Sequence, residues 1–345
     1  MLAPPWIPVP APAYGGIEEV VRLLTGGLSA RGHDVTLFAP PGSSADGEVI
    51  AVLEEAHPDD IQKAQFESDH VARAFGEIDA AAERGEPYDV VHDHVGHTAL
   101  AMADRLSVPL VHTLHGPFTE DACRFYAEHG PKACIVGISK SQLDSGPEEM
   151  GGGRVVHNPI DTEEWPFSAR KDDFTLWIGR MSPDKGPHRA IAAAREAGVP
   201  LVLAGPVQPG QEQYFEEEVE PRLGDGVEYV GEADADRKRE LYLGARALLM
   251  PIRWPEPFGL VMVEALACGT PVIAYPEGSV PEVVRDGVTG FVVDDEHAMA
   301  EAIGRVGEID PGDCRRDCEE RFGVEAVVRG YEEVYRTAIA RGVAA

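Results

Sequence analysis

A short β-branched apolar run, a loop carrying glycine or proline, and then an amphipathic segment recur along both halves of the chain. No other feature restricts the fold as strongly. In the first half the strand-like runs are HDVTLFAPP (33–41), DVVHDH (89–94), VPLVHTLHG (108–116), ACIVGIS (133–139) and RVVHNPI (154–160). Helix-like stretches alternate with them. In residues 17–32, Ile17, Val20, Val21, Leu24 and Leu28 share one face at helical spacing. The second half repeats the pattern with FTLWIGR (174–180), VPLVLAGP (199–206), GVEYVGE (226–232), ARALLMPI (245–252), TPVIAY (270–275) and GFVVDD (290–295). Strands alternating with helices indicate parallel βαβ units, so each half reads as its own doubly wound sheet. The polar segment 161–173, with Pro166, is the expected boundary, and residues 324–340 form a closing amphipathic helix. At the start, Pro4 and Pro5 cut a first strand to a few residues, by stunting or by a later beginning than in relatives, and Gly15 and Gly16 lead into the first helix.

The length of 345 residues agrees with two domains of α/β type. A formal charge of −30 argues against binding nucleic acid or anionic lipid, both of which call for a basic face. No apolar run approaches the roughly 20 residues that cross a bilayer, and no basic stretch leads into an apolar one at the N-terminus. A cytoplasmic location is the expectation. The five cysteines show no C-x-x-C pair, so neither a disulfide framework nor a zinc site is expected, although Cys314 and Cys318 are one helical turn apart.

Open parallel sheets bind ligands beyond the carboxyl ends of their strands, which directs suspicion to the loops there. In GRMSPDKG, Arg180 and Lys185 flank a turn with Pro183 and Gly186. They read either as a clamp for a diphosphate or as a solvated loop in which Arg180 pairs with Asp184. In EPFGLVMVEALACG, the turn at Pro257 and Gly259 opens a helix and leaves amides near Gly259 and Leu260 free for an anion. That helix is apolar nearly all round, yet it carries Glu264, and a buried carboxylate needs donors. A ribose diol could supply two; an ion pair with Arg253 or Arg180 is the alternative. Glu256, perched between Pro255 and Pro257, suits a bound polyol or the electrostatics of the helix N-terminus.

In HTLHGP, the two-residue period of a strand keeps His112 and His115 off a common face. His115, beside Gly116, is the better candidate for a ligand. His92, Asp93, His94 and His97 suggest a metal cluster, but residues of the turn fall outside the strand, and polar residues lining a cleft are the better reading.

As a set, GRMSPDKG, the spaced glutamates of EPFGLVMVEALACGTPVIA, the opening glycine pair, RGHDVTLFAP, HTLHG, NPID and VPEVVRDGVTGFVV resemble the retaining GT-B glycosyltransferases of family 4, the glycosyl transferases group 1. The resemblance implies an α/β, GT-B fold of two doubly wound Rossmann-like domains facing across a cleft. Residues 1–163 would be the acceptor-side domain, 164–322 the nucleotide-sugar domain, and 323–345 a helix returning to the N-terminal domain. It further implies that Arg180 and Lys185 neutralise the donor diphosphate and that no metal or other cofactor is needed. Glu264 would bind the ribose hydroxyls, and Glu256 those of the transferred sugar. Gly259 and Leu260 would offer amides to the donor, Gly15 and Gly16 would let backbone approach the phosphates, and His115 would contact the sugar near its reacting carbon. The implied reaction retains anomeric configuration, with the leaving phosphate oxygen taking the acceptor's proton. A UDP-sugar is the expected donor because the family uses it most. The acceptor is open, its loops around 42–75 and 117–130 being merely polar and acidic. The resemblance of PAYGGIEEVV to natural-product glycosyltransferases does not name it. The competing readings are a nucleotide-sugar epimerase and a non-catalytic nucleotide-sugar-binding protein. A dinucleotide oxidoreductase is disfavoured, since no G-x-G-x-x-G follows a first strand.

Overall fold

The computed structural model describes residues 1–12, 15–61 and 63–342. The chain divides into two compact units, Met1–Pro159 with Val324–Ala345, and Ile160–Gly323.

In the first unit the strands are β1 (Thr36–Phe38), β2 (Glu48–Ile50), β3 (Val91–Asp93), β4 (Leu110–Leu114), β5 (Cys134–Gly137) and β6 (Arg154–Val155). The ladders β1–β2 and β3–β4–β5–β6 are parallel throughout. Residues 1–3 join the two pieces. Leu2 bridges Phe38 on one side and Asp93 on the other, both in parallel sense. Its amide donates to the His92 carbonyl at 2.8 Å and its carbonyl accepts from the His94 amide at 3.0 Å, while the Ala3 amide reaches the Phe38 carbonyl at 2.9 Å. The central position of the sheet is therefore filled by a minimal strand that Pro4 and Pro5 terminate, because proline has no N–H for the ladder.

Apolar side chains cover both faces of this sheet. Val71, Phe75, Ile78, Leu100 and Tyr126 form one cluster with Leu110 and Ile135. On the other face, Val327, Val328, Tyr331, Val334 and Tyr335 of the closing helix Val324–Gly342 pack with Leu24 and Leu28 of the first helix, Gly16–Ala30, and with Val111 and Val136 of the sheet.

The second unit contains β7 (Thr175–Ile178), β8 (Leu201–Ala204), β9 (Val227–Tyr229), β10 (Ala247–Met250), β11 (Val272–Ala274) and β12 (Gly290–Val292). All are parallel, in the order β9-β8-β7-β10-β11-β12. Counted from β7 this is 3-2-1-4-5-6, the doubly wound order, and its direction reverses between β7 and β10. Helices cover both faces, which is why strands such as ALLM at 247–250 are continuously apolar and buried. The Cys314 and Cys318 thiols lie on the buried side of helix Pro311–Phe322, directed at the carbonyls of Thr289 and Val263. Among the described residues no helix is long and apolar enough to cross a membrane.

Candidate active site

The switch point of the second unit is bordered by the loop after β7, which carries Arg180 and Lys185, and the loop after β10, which carries Glu256 and leads to Glu264. Backbone and guanidinium bonds tie these loops together. The Arg253 amide donates to the Asp184 carbonyl at 2.8 Å. Arg189 spans the same gap, its Nε on the Pro251 carbonyl at 2.7 Å and its Nη2 on the Pro183 carbonyl at 3.0 Å.

Lys185 Nζ donates to Glu256 Oε2 and lies over the Trp254 ring, 4.4 Å from its centroid. Glu256 is held from behind by the chain itself. The Ser279 amide donates to its carbonyl at 3.0 Å, and Ser279 Oγ donates to the Phe258 carbonyl at 2.7 Å. Gly278 is what permits this approach. It has φ +56°, and a Cβ there would lie 2.3 Å from the Glu256 carbonyl oxygen and 2.4 Å from its nitrogen.

Gly259, at φ +78°, turns the chain from Phe258 into helix Leu260–Ala267, which has no side-chain N-cap. The first-turn amides at Leu260 are thus left for a ligand or water. One turn on, Glu264 is 9% exposed, and both of its oxygens have donors: Lys238 Nζ on Oε1 at 2.6 Å and the Tyr242 hydroxyl on Oε2 at 2.9 Å. The ion pair anticipated with Arg253 or Arg180 does not form. Arg253 bonds Glu277 and the Asp294 carbonyl, and Arg180 is exposed with its Nη1 3.4 Å from Gln208 Oε1. Nor do Arg180 and Lys185 meet on a shared protein partner, since Lys185 turns to Glu256 instead. The reason is Coulombic: a half-buried ammonium and a buried carboxylate gain more from each other than either does alone.

Lys238, Tyr242, Gly278, Ser279, Arg189 and Trp254 were not selected from the sequence. One signal was available. Lys238 and Tyr242 are four residues apart on helix Ala235–Gly244, hence on one face, and Lys238 is among only six lysines.

In the first unit, His115 lies just past β4 and His94 just past β3, and His94 Nδ1 is 2.9 Å from His115 Nε2. One ring donates and the other accepts. His115 is pushed down to about 3, by burial first and by His112 second, and burial likewise holds His94 well below the usual imidazole range. Both rings are neutral near pH 7. His112 points into the core instead, bonded to Asp93 Oδ2 at 2.6 Å and to the Tyr126 hydroxyl at 2.9 Å. His92 bridges the Tyr335 hydroxyl and Thr113 Oγ1, each at 2.7 Å. Asp93 also accepts the Val95 amide, and His97 packs edge-on against Phe125, so the residues of HDHVGH are distributed among separate partners. Gly15 precedes the first helix in extended backbone, and Gly16 is its first residue.

Two lysine–carboxylate pairs and a helix N-terminus without a side-chain cap thus stand at the switch point of an open parallel sheet. Comparisons with known proteins identify the family. The model of the glycosyl transferases group 1 matches residues 161–321, and that of Glycosyltransferase Family 4 matches residues 14–164. Glycogen synthase of Mycobacterium tuberculosis is 30% identical over 329 residues, covering 81% of this chain and 79% of that protein. D-inositol 3-phosphate glycosyltransferase of Mycolicibacterium smegmatis is 27% identical over 358 residues, covering 89% and 82%. Among solved structures, AviGT4, a glycosyltransferase involved in avilamycin A biosynthesis, superposes with a TM-score of 0.71 at 27% identity, covering 97% of this chain and 93% of that one. Sucrose-phosphate synthase of Thermosynechococcus elongatus shares the fold, with a TM-score of 0.75 at 22% identity and coverage of 99% and 98%.

The fold is therefore that of the GT-B glycosyltransferases, two Rossmann-like domains with parallel sheets. The chain belongs to the glycosyl transferases group 1, enzymes that move a sugar from a nucleotide-sugar donor.

Proposed function

We propose that the chain transfers a hexose from a nucleoside-diphosphate sugar, a UDP-sugar first among the candidates, with retained anomeric configuration and without a metal ion. The observation that carries this reading is the placement of Lys185, Glu256 and Glu264 around the switch point of the second unit. Lys185 and Arg180 take the diphosphate, with the amides at Gly259 and Leu260 beside them. Glu256, released from Lys185 as the phosphates arrive, accepts hydroxyls of the sugar. Glu264 accepts those of the ribose. His115, Gly15 and Gly16 are the further residues that the family resemblance assigns to the donor, His115 to the sugar and the two glycines to the phosphates.

In the transition state, charge develops on the departing diphosphate, and positive charges fixed in advance stabilise it there more than in the ground state. No described carboxylate is assigned as nucleophile. The leaving phosphate oxygen takes the acceptor's proton on the face where the new bond forms.

Isothermal titration of UDP, GDP and ADP in EDTA tests the donor half. Wild type is expected to bind one of them, and Lys185→Ala and Glu264→Ala to weaken that binding at least about tenfold, the loss of one charge-assisted bond. Binding that depends on added magnesium would refute the metal-free reading. NMR of the anomer first released from UDP-glucose during slow hydrolysis tests retention; an inverted first product would overturn it.

A further inference from the structure

Glu264 is not a bare carboxylate awaiting a ligand. Lys238 Nζ occupies one oxygen and the Tyr242 hydroxyl the other, and both donors come from a single face of helix Ala235–Gly244. The two donors are themselves braced. Tyr242 is fully buried with its ring 5.7 Å edge-on from that of Trp165, and Lys238 Nζ lies 5.6 Å from the same indole. The Tyr242 carbonyl accepts Thr270 Oγ1 at 2.5 Å, which ties its backbone to the turn after helix Leu260–Ala267.

A carboxylate has about four acceptor positions, and its terminal torsion is soft and roughly two-fold. One donor on each oxygen removes that softness. It also leaves one acceptor position free on each oxygen, which matches the two hydroxyls of a vicinal diol.

We propose that Lys238 and Tyr242 are positioning residues that hold Glu264 in the one orientation able to accept both ribose hydroxyls, and thereby set the preference for ribo- over 2′-deoxyribonucleotides. This rests on the reading of Glu264 as the ribose ligand. Lys238 adds a second service: it neutralises a carboxylate that would otherwise repel the diphosphate nearby.

The test titrates UDP, GDP and ADP, each with its 2′-deoxy counterpart, into full-length wild type, Lys238→Met, Lys238→Arg, Tyr242→Phe and Lys185→Ala. Wild type is expected to favour the ribo form of its nucleotide by about tenfold or more, the equivalent of one bond to a charged acceptor. In Lys238→Met the ratio falls to about twofold, and in Lys238→Arg most of it returns. Lys185→Ala weakens both forms alike and keeps the ratio. A general loosening of the unit would also weaken both forms alike, so the ratio separates positioning from structural support. Circular dichroism checks that Lys238→Met is folded. If it is not, Tyr242→Phe, which loses only a hydroxyl, carries the test with a fall of about threefold expected. A folded Lys238→Met and Tyr242→Phe that both keep the wild-type ratio overturn the proposal and leave the ribose reading of Glu264 intact. A wild type that binds both forms equally, or binds none of the nucleotides, overturns that reading and the proposal with it.

Discussion

Glu256 shows how far a single position depends on its neighbours. Its side chain faces Lys185, and its backbone is pressed against Gly278, where a Cβ would come within 2.3 Å of the Glu256 carbonyl oxygen. Gly278→Ala must move one strand of this contact and strain a φ of +56°. We expect kcat/KM for donor turnover to fall about a hundredfold, as for a roughly 1 Å misplacement of a group that positions the substrate, in a protein whose circular dichroism remains native. An unchanged kcat/KM would show that turnover does not depend on the close seating of Glu256 against Gly278. The sequence made Glu256 and Glu264 conspicuous, the one by its flanking prolines and the other by its apolar helix. It did not disclose their partners. Glu264 meets Lys238, 26 residues upstream, rather than Arg253 or Arg180, because adjacent helices on one face of the sheet bring those two side chains together.

At the scale of elements, the closing helix Val324–Gly342 is bound to the first helix by charge as well as by apolar packing. Glu332 accepts from Arg31 Nε at 2.7 Å, Arg31 Nη2 at 3.0 Å and Arg336 Nη2 at 3.0 Å, and lies 3.1 Å from His33 Nε2. These bonds, Arg31's foremost and then His33's, hold the Glu332 carboxyl down to about 2 from 4.5. A folded pKa below the unfolded one stabilises above the unfolded value and ceases to do so as pH falls through the folded one. The difference in stability between wild type and Glu332→Gln should therefore be largest above pH 4.5 and close as pH falls toward 2, which thermal unfolding of both proteins at a series of pH values will show. A difference independent of pH would mean the network contributes nothing through charge. Most strands were legible as apolar β-branched runs. The exception is β2, with sequence EVI: this exposed-to-half-buried strand on the rim of the sheet has too little apolar pattern to be seen. The first strand was legible only as a truncation at Pro4. That one residue, Leu2, completes ladders on both sides depended on β1 and β3 being present to receive it.

For the whole molecule, the two units differ in how the chain builds them. The second, Ile160–Gly323, is continuous, whereas the first needs residues from both ends. Residues 160–323 expressed alone should fold and keep nucleoside-diphosphate binding, since Arg180, Lys185, Glu256, Glu264 and Lys238 all lie within them. Residues 1–159 alone should lack native circular dichroism, because Val327, Val328, Tyr331 and Tyr335 form much of the core on one face of their sheet. A well-folded 1–159 fragment would show that the closing helix is an accessory.

What the sequence determined by itself was the alternation of strand and helix, the parallel sense that follows from it, and the loops at strand ends where polar residues gather. These are local properties, set by side-chain period and by proline and glycine. Tertiary structure decided which charges meet: Lys185 with Glu256, Lys238 with Glu264, His94 with His115. A pairing between residues 21 to 71 positions apart depends on strand order and on which face each helix covers, and no local pattern encodes that.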